Sequence, residues 1–198
     1  MIKLYDYWLS GNCHKVRLML SILKLEHELI PINIKELEQK SLDFLQLNPF
    51  GMVPVLTDGT EILRDSQAIL FYLGMKYGGD WLPREAVAMS KVVQWLSTSA
   101  QDIQNSLAAA RVHFLLGRDL NIGLAQQRAH NLLKTMDKHL ETRHWLEGDR
   151  PTIADIACFP YIALAGDAKV SLDDYLNVVT WLERVKQIEG FVSMQGML

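Results

Sequence analysis

Two short stretches of this chain have the makings of a pocket for a small charged peptide: Met52-Val53-Pro54-Val55-Leu56 and Asp65-Ser66. Val53, Val55 and Leu56 read as strand, but Pro54 has no N–H for a ladder bond, so it belongs at an edge or a turn. A proline at such a bend is a candidate for a cis peptide bond, which would turn the backbone of Val53 outward. Its N–H and C=O could then pair with an extended peptide as one more strand would. Asp65 and Ser66 precede Ile69, Leu70, Tyr72 and Leu73, which are spaced as a helix face. They therefore fall among the free N–H groups of a helix N-terminus, a place suited to anions. Taken alone, each stretch reads equally well as a strained loop and an ordinary N-cap.

The elements that must position these groups are legible in the pattern. Ile2 to Tyr7 alternates as a strand. Val16, Met19, Leu20 and Leu23 form a helical stripe after the Ser10-Gly11-Asn12 turn. Glu28 to Ile34 reads as a second strand, parallel to the first because a crossover helix precedes it. A short helix around Leu42-Phe44-Leu45 leads into the Asn48-Pro49-Phe50-Gly51 turn. Val53–Thr57 and Thr60–Leu63 flank Asp58-Gly59, a hairpin signal, and the helix opened by Asp65 closes near Gly79. Beyond the linker Trp81-Leu82-Pro83 only helical periodicity remains. One long helix is expected through Val92, Leu96 and Ile103 to Leu115, and a second through Ala129 to Leu140. A third is opened by Thr152-Ile153-Ala154-Asp155, a variant capping box, and bent by Pro160; a last one spans Tyr175 to Ile188. The expectation is an α/β domain over 1–79 followed by an all-α domain over 85–198.

Composition narrows the function. The 198 residues carry a net charge of −3 with 20 Lys and Arg and no basic run, which argues against nucleic acid and a polybasic membrane patch. The sequence has no signal-peptide core and no apolar run of membrane length, and its two cysteines form no CxxC pair. A reducing, cytoplasmic setting is expected. The 6 histidines have no metal-ligand spacing, so no metal is expected.

Element order and motifs together resemble the cytosolic glutathione transferases over essentially the whole chain. Asn-Pro-Phe-Gly-x-Val-Pro-x-Leu at 48–56 with Asp-Ser at 65–66 matches that family's signature. Ser-x-Asn-Cys-x-x-Val-Arg at 10–17 is similar to the opening of its serine-type classes, theta/phi/zeta-like bacterial members among them. Arg-Pro-Thr-Ile-Ala-Asp-Ile-Ala at 150–157 is similar to the capping motif of its helical domain. The resemblance implies a thioredoxin-like N-terminal domain, glutathione as co-substrate and conjugation to a small hydrophobic electrophile as second substrate; glutathione-dependent reduction of peroxides or disulfides, and a non-catalytic module that binds glutathione or a protein partner, are the alternatives on the same fold. A homodimer is implied too, with Phe50 as the aromatic wedged into the partner subunit.

It also implies roles for single residues. Ser10, at the strand–helix junction, would donate a hydrogen bond to the glutathione thiolate, with the helix N-terminus adding favourable potential. Val53, beside Pro54, would pair its backbone with the cysteinyl unit. Asp65 would hold the ammonium and Ser66 the carboxylate of the γ-glutamyl end, and Lys40 would face the glycine carboxylate. Met52 departs from the glutamine often found there. Cys13 is the rival to Ser10, as in cysteine-type classes. Its position three residues on, sharing a face with Val16, makes it a buried structural residue instead. The electrophile site is expected between the Trp8-Leu9 loop and the first long helix near Ile103, Leu107 and Arg111.

Overall fold

The computed structural model describes residues 1–197. Its first part is a four-stranded sheet in the order β2-β1-β3-β4, with β1 Ile2–Asp6, β2 His27–Pro31, β3 Val55–Asp58 and β4 Glu61–Arg64. β1 runs parallel to β2 and antiparallel to β3, and β3–β4 is a hairpin in which Asp58 pairs with Glu61. The turn is therefore Gly59-Thr60, one residue later than Asp-Gly would place it. Gly59, at φ +63°, supplies the left-handed backbone, and Asp58 closes the strand. Asp58 is held there by three donors from α3 (Ser66–Lys76) and the residue after it: Tyr72 Oη at 2.8 Å, Lys76 Nζ at 2.7 Å and Tyr77 Oη at 2.5 Å.

Alternation along β1 splits the sheet's two faces. Ile2 and Leu4 point into the main core with α1 (Gly11–Ile22) and α3. Tyr5 points to the other side, against Ile32, Phe44 and Val55 beneath α2 (Leu42–Leu47). The main core does not stop at the sheet. It continues through α1 and α3 into the helices of the second part, where α7 (Ile153–Ala163) is buried along its whole length. Lys15 of α1 lies in this seam without solvent exposure, its Nζ donating to Ser99 Oγ at 2.9 Å while Ser99 donates to the Ala157 carbonyl at 2.7 Å. Burial pulls its pKa down to about 8.

The long helix expected as far as Leu115 extends to Leu116 but is not uniform. α4 (Ala86–Thr98) and α5 (Ala109–Leu116) are joined by a π-helical segment, Ser99–Ala108. The wider turn changes the angular step, so residues after it fall on a different face than a 3.6-residue period assigns. α6 (Ile122–Leu140) and α8 (Leu176–Lys186) complete the second part.

At the start of α7 the capping box forms as the Thr152–Asp155 pattern predicts. The fully buried Asp155 carboxylate accepts from Thr152 N at 2.9 Å, Leu146 N at 3.0 Å and Trp181 Nε1 at 2.9 Å. Burial raises its pKa to about 6 against the pull of those donors. In an Asp155→Ala variant the three donors lose their acceptor. At about 1–3 kcal/mol for each unmade buried bond, less the relief of the buried charge, the expected loss is about 3 kcal/mol of folding stability. Urea denaturation followed by tryptophan fluorescence measures it, and a loss below about 1 kcal/mol would show that Asp155 is not a hub.

Candidate functional site

The loop between α2 and β3 is shaped by a residue the sequence reading passed over. Asn48, at 2 % exposure, accepts from Phe50 N at 3.1 Å and donates to the Met52 carbonyl at 2.7 Å, while its own carbonyl takes Gly51 N at 2.8 Å. The loop so pinned leads into Val53–Pro54, whose peptide bond is cis. Pairing of β3 with β1 begins only at Val55, so Val53 stands outside the ladder rather than at the start of a strand.

Asp65 opens α3 with φ +72°, a backbone setting unusual for a residue with a side chain. Its Oδ1 accepts from Gln67 N at 2.9 Å and Ala68 N at 3.1 Å. Ile69 N is already bonded to the Asp65 carbonyl, so the Ser66 N–H is the first-turn donor left for an anion. The cradle is thus narrower than the bare motif suggests, with the Ser66 N–H and hydroxyl beside a carboxylate that keeps one oxygen uncommitted. The Ser66 hydroxyl lies 3.4 Å from Asn12 Oδ1, and Asn12 Nδ2 donates to Gln104 Oε1 of the π segment at 3.2 Å. Val53, Pro54, Asp65 and Ser66 line one small cavity of about 100 Å³.

Ser10 lines a second cavity of about 270 Å³, which shares Met52 and Val53 with the first. Ser10 is the N-cap of α1; its Oγ accepts from Cys13 N at 3.2 Å. That bond occupies a lone pair and leaves the hydroxyl proton to donate elsewhere. Tyr161 of α7 comes to the same helix end. Its ring lies so close to Gly11 that a Cβ there would stand 2.7 Å from two ring carbons, which fixes glycine at this position. Burial and the neighbouring Cys13 push the Tyr161 phenol up to about 12, while Arg111, the Asn12 N–H and the Ser10 hydroxyl draw it the other way. Leu9, Val112, Leu115 and Leu116 give the cavity its apolar wall.

Two expectations shift. Lys40 lines neither cavity; its Nζ donates to the Phe50 carbonyl at 3.1 Å, passing Gly51, where a Cβ would meet it at 2.6 Å. Its neighbour Gln39 lines the larger cavity, buried and with no hydrogen-bond partner for Oε1 among the described residues. Ile103 and Leu107 belong to the core, so of the residues expected around the second substrate Leu9 and Arg111 line the space. The rival thiol is settled by burial. Cys13 is inaccessible, and desolvation together with Asp6 pushes it up to about 12.

A further cavity of about 580 Å³ contains none of these groups. It lies between α4 with the π segment and α6, over Trp95, Leu132 and Met136. Phe50 is 56 % exposed, with the Arg64 guanidinium 4.3 Å from its ring centre. Among the described residues no helix is long and apolar enough to cross a membrane, and no group of three or more His, Cys, Asp or Glu could hold a metal.

Residues 4–81 match the family model of the glutathione S-transferase N-terminal domain, and residues 124–189 that of the C-terminal domain. Glutathione S-transferase 3 of Zea mays is 35 % identical over 164 residues, covering 78 % of this chain and 73 % of the relative. The disulfide-bond oxidoreductase YfcG of Escherichia coli (strain K12) is 30 % identical over 197 residues, covering 94 % and 90 %. Among solved structures, a glutathione S-transferase from Pseudomonas fluorescens superposes with a TM-score of 0.92 at 30 % identity, covering 98 % of each chain.

Burial of both cysteines gives a direct test. Cys158, like Cys13, is inaccessible and its pKa is raised by desolvation. At pH 8 neither thiol should be alkylated by iodoacetamide within minutes in the folded protein, and both should react once it is unfolded in urea. Mass spectrometry counts the adducts; rapid labelling of Cys13 in the native state would return it to the list of nucleophiles.

Proposed function

The chain belongs to the glutathione S-transferase family, and from that premise we propose that it joins the thiolate of glutathione to small hydrophobic electrophiles. One observation carries the reading. The Ser10 hydroxyl opens onto an apolar cavity that adjoins, through Met52 and Val53, the smaller one bearing Asp65 and Ser66. Val53 would pair its outward backbone with the cysteinyl unit and Pro54 would hold that backbone in place. The Ser66 N–H and hydroxyl would take the γ-glutamyl carboxylate, and the spare oxygen of Asp65 its ammonium. For the glycine carboxylate, Lys40 would first have to leave Phe50, and the Gln39 amide is the nearer group. The sulfur would then fall beside Ser10 at the N-terminus of α1.

Ser10 does not account for most of the rate. A thiol of pKa about 8.5 is roughly 3 per cent ionised at pH 7, and lowering that value by about two units yields about 25-fold more thiolate. Nucleophilicity falls with basicity at a slope near 0.4–0.5, which takes back about 6–10-fold. The remaining few-fold leaves positioning of the electrophile as the larger effect. A Ser10→Ala variant, which loses the donor to the thiolate, should lower conjugation by about ten-fold or more, with glutathione affinity little changed. Steady-state turnover alongside calorimetric titration with glutathione tests this, and wild-type turnover in the variant would remove Ser10 from the mechanism.

A second reading follows from the likeness to the Escherichia coli disulfide-bond oxidoreductase: two glutathione molecules reduce a small disulfide, leaving oxidised glutathione and two thiols. With Cys13 buried, that exchange would run through glutathione alone. Reduction of a small disulfide at a rate exceeding conjugation would favour it.

The assembly proposed is a two-fold homodimer in which Phe50 of each subunit enters the cavity over Trp95, Leu132 and Met136 of the other. An exposed aromatic in the first part and an open cavity in the second suit a contact repeated by symmetry. Each phenylalanine would contribute about 1.5–3 kcal/mol. Sedimentation of wild type and Phe50→Ala should show a dimer weakened in the variant, together with weaker glutathione binding, because Met52 and Val53 follow directly along the loop. A wild-type monomer overturns the assembly.

A further inference from the structure

The carboxyl end of α6 and one face of α8 enclose a cavity that shares no residue with those at Ser10 and Ser66. It measures about 320 Å³, a size at which small molecules are bound. Its walls include Arg143 of the loop after α6 and Asn177, Thr180 and Arg184, spaced i, i+3 and i+7 along α8. Two guanidinium groups thus share one concave surface in a chain whose net charge is −3.

Neither guanidinium has a carboxylate partner among the described residues, because the acids nearest to them are already matched. Glu141 pairs with Lys138, and Glu183 with Lys186 at 2.6 Å. The Asp137 carboxylate accepts from Asn177 N at 2.8 Å, Asn177 Nδ2 at 3.1 Å and Val178 N at 3.1 Å. Backbone carbonyls hold each arginine by one nitrogen: Arg184 Nη1 donates to the His144 carbonyl, and Arg143 Nη1 to that of His139 at 3.4 Å. The Trp145 ring lies 5.8 Å from the Arg184 guanidinium. Carbonyls at a helix end account for cations standing here, but they occupy one arm of each fork. The other nitrogens have no partner among the described residues and remain within reach, since Arg143 is exposed and Arg184 half-buried.

The number and shape of these donors say what would complete them. A carboxylate brings one charge in one plane, which a single fork fills. A phosphoryl group brings up to two charges at neutral pH and three oxygens that do not share a plane, so two forks can divide them. Thr142, on the same rim, adds a hydroxyl. Glu141, on that rim too, works against a long polyanion and favours a small molecule. We infer that this cavity is a second ligand site, which takes the phosphoryl dianion of a small phosphate ester or of inorganic phosphate between Arg143 and Arg184. It lies apart from the groups assigned to glutathione and the electrophile, so it stands or falls separately from the transferase reading.

The nitrogen-15-labelled full chain, titrated with sn-glycerol 3-phosphate at a pH above the second phosphate pKa of about 6, tests the site. The amide signals of Thr142, Arg143 and Thr180 should move and saturate together. Arg143→Gln and Arg184→Gln should each weaken binding by about ten-fold or more, the effect of losing a charge-assisted bond. D-glycerate, with a carboxylate for the phosphate, should bind about ten-fold or more weakly than the ester. Inorganic phosphate separates the two sources: affinity equal to that of the ester names free phosphate, and lower affinity names the ester. Saturating S-methylglutathione should leave the affinity unchanged. Absence of shifts at these amides overturns the site, as does competition by S-methylglutathione. Undiminished affinity in Arg143→Gln also overturns it, and that exposed position decides alone should Arg184→Gln not fold. Glycerate binding as tightly as the ester overturns the assignment to phosphate.

Discussion

A carboxylate sealed from water organises the helical half. Asp155 accepts from the backbone of Thr152, from the backbone of Leu146 and from the indole of Trp181, and so ties the start of α7 to the preceding loop and to α8. Such a group is costly to bury and is tolerated because each of its bonds is made. Its consequence reaches the site along α7. From that fixed end the helix carries Ala157 to Ser99 and Lys15, and then Tyr161 to the first turn of α1. The position of a phenol beside Ser10 thus depends on a cap roughly nine Å away along the helix, at 1.5 Å per residue.

α1 has two obligations that pull apart. Its body must be buried between the sheet and α7, and its first turn must reach a cavity. Ser10 and Cys13 show how sharply the division falls. One caps the helix and lines the open space; three residues later the other is inaccessible, with its thiol held in the neutral form. Gly11 lets the phenol ring close over the same turn. This helix end therefore offers hydroxyls and an N-terminal potential, without an accessible thiol of the protein's own.

What was legible in the sequence was local. The capping box at Thr152–Asp155 needs only four residues to be recognised, and the hairpin around Gly59 only two strands and a turn. The helix opened by Asp65 follows from its apolar spacing. Boundaries slipped where tertiary contacts decide them: Asp58 joins the strand because three donors from beyond the sheet reach it, and Val53 leaves it because pairing with β1 starts at Val55. The residues that escaped are those whose meaning lies in distant partners. Asn48 looks like a turn residue until both of its side-chain bonds are seen. Tyr161 lies some 150 residues from Gly11 in the chain, and nothing in its neighbours announces the contact. Lys40 and Gln39 trade places because a short helical turn decides which of two adjacent side chains faces the cavity. The π segment hides for a different reason, since a search at 3.6 residues per turn assumes the geometry that it departs from.

The seam that buries Lys15 makes the joint between the two halves sensitive to hydroxide. Apart, the halves would expose an amine of ordinary basicity; together they hold it near 8. Between pH 8 and 10.5 the amine is neutral inside the seam and would take up a proton on release, so its own contribution to the closed form grows with pH, while above about 9 the buried thiols of Cys13 and Cys158, raised by desolvation, act in the opposite sense. At neutral pH the ammonium must be enclosed as such, a cost of about 3 kcal/mol by the size of that displacement. The surrounding apolar core has to outweigh it. A single methylene chain with its terminal nitrogen thus gives the seam a pH response of its own.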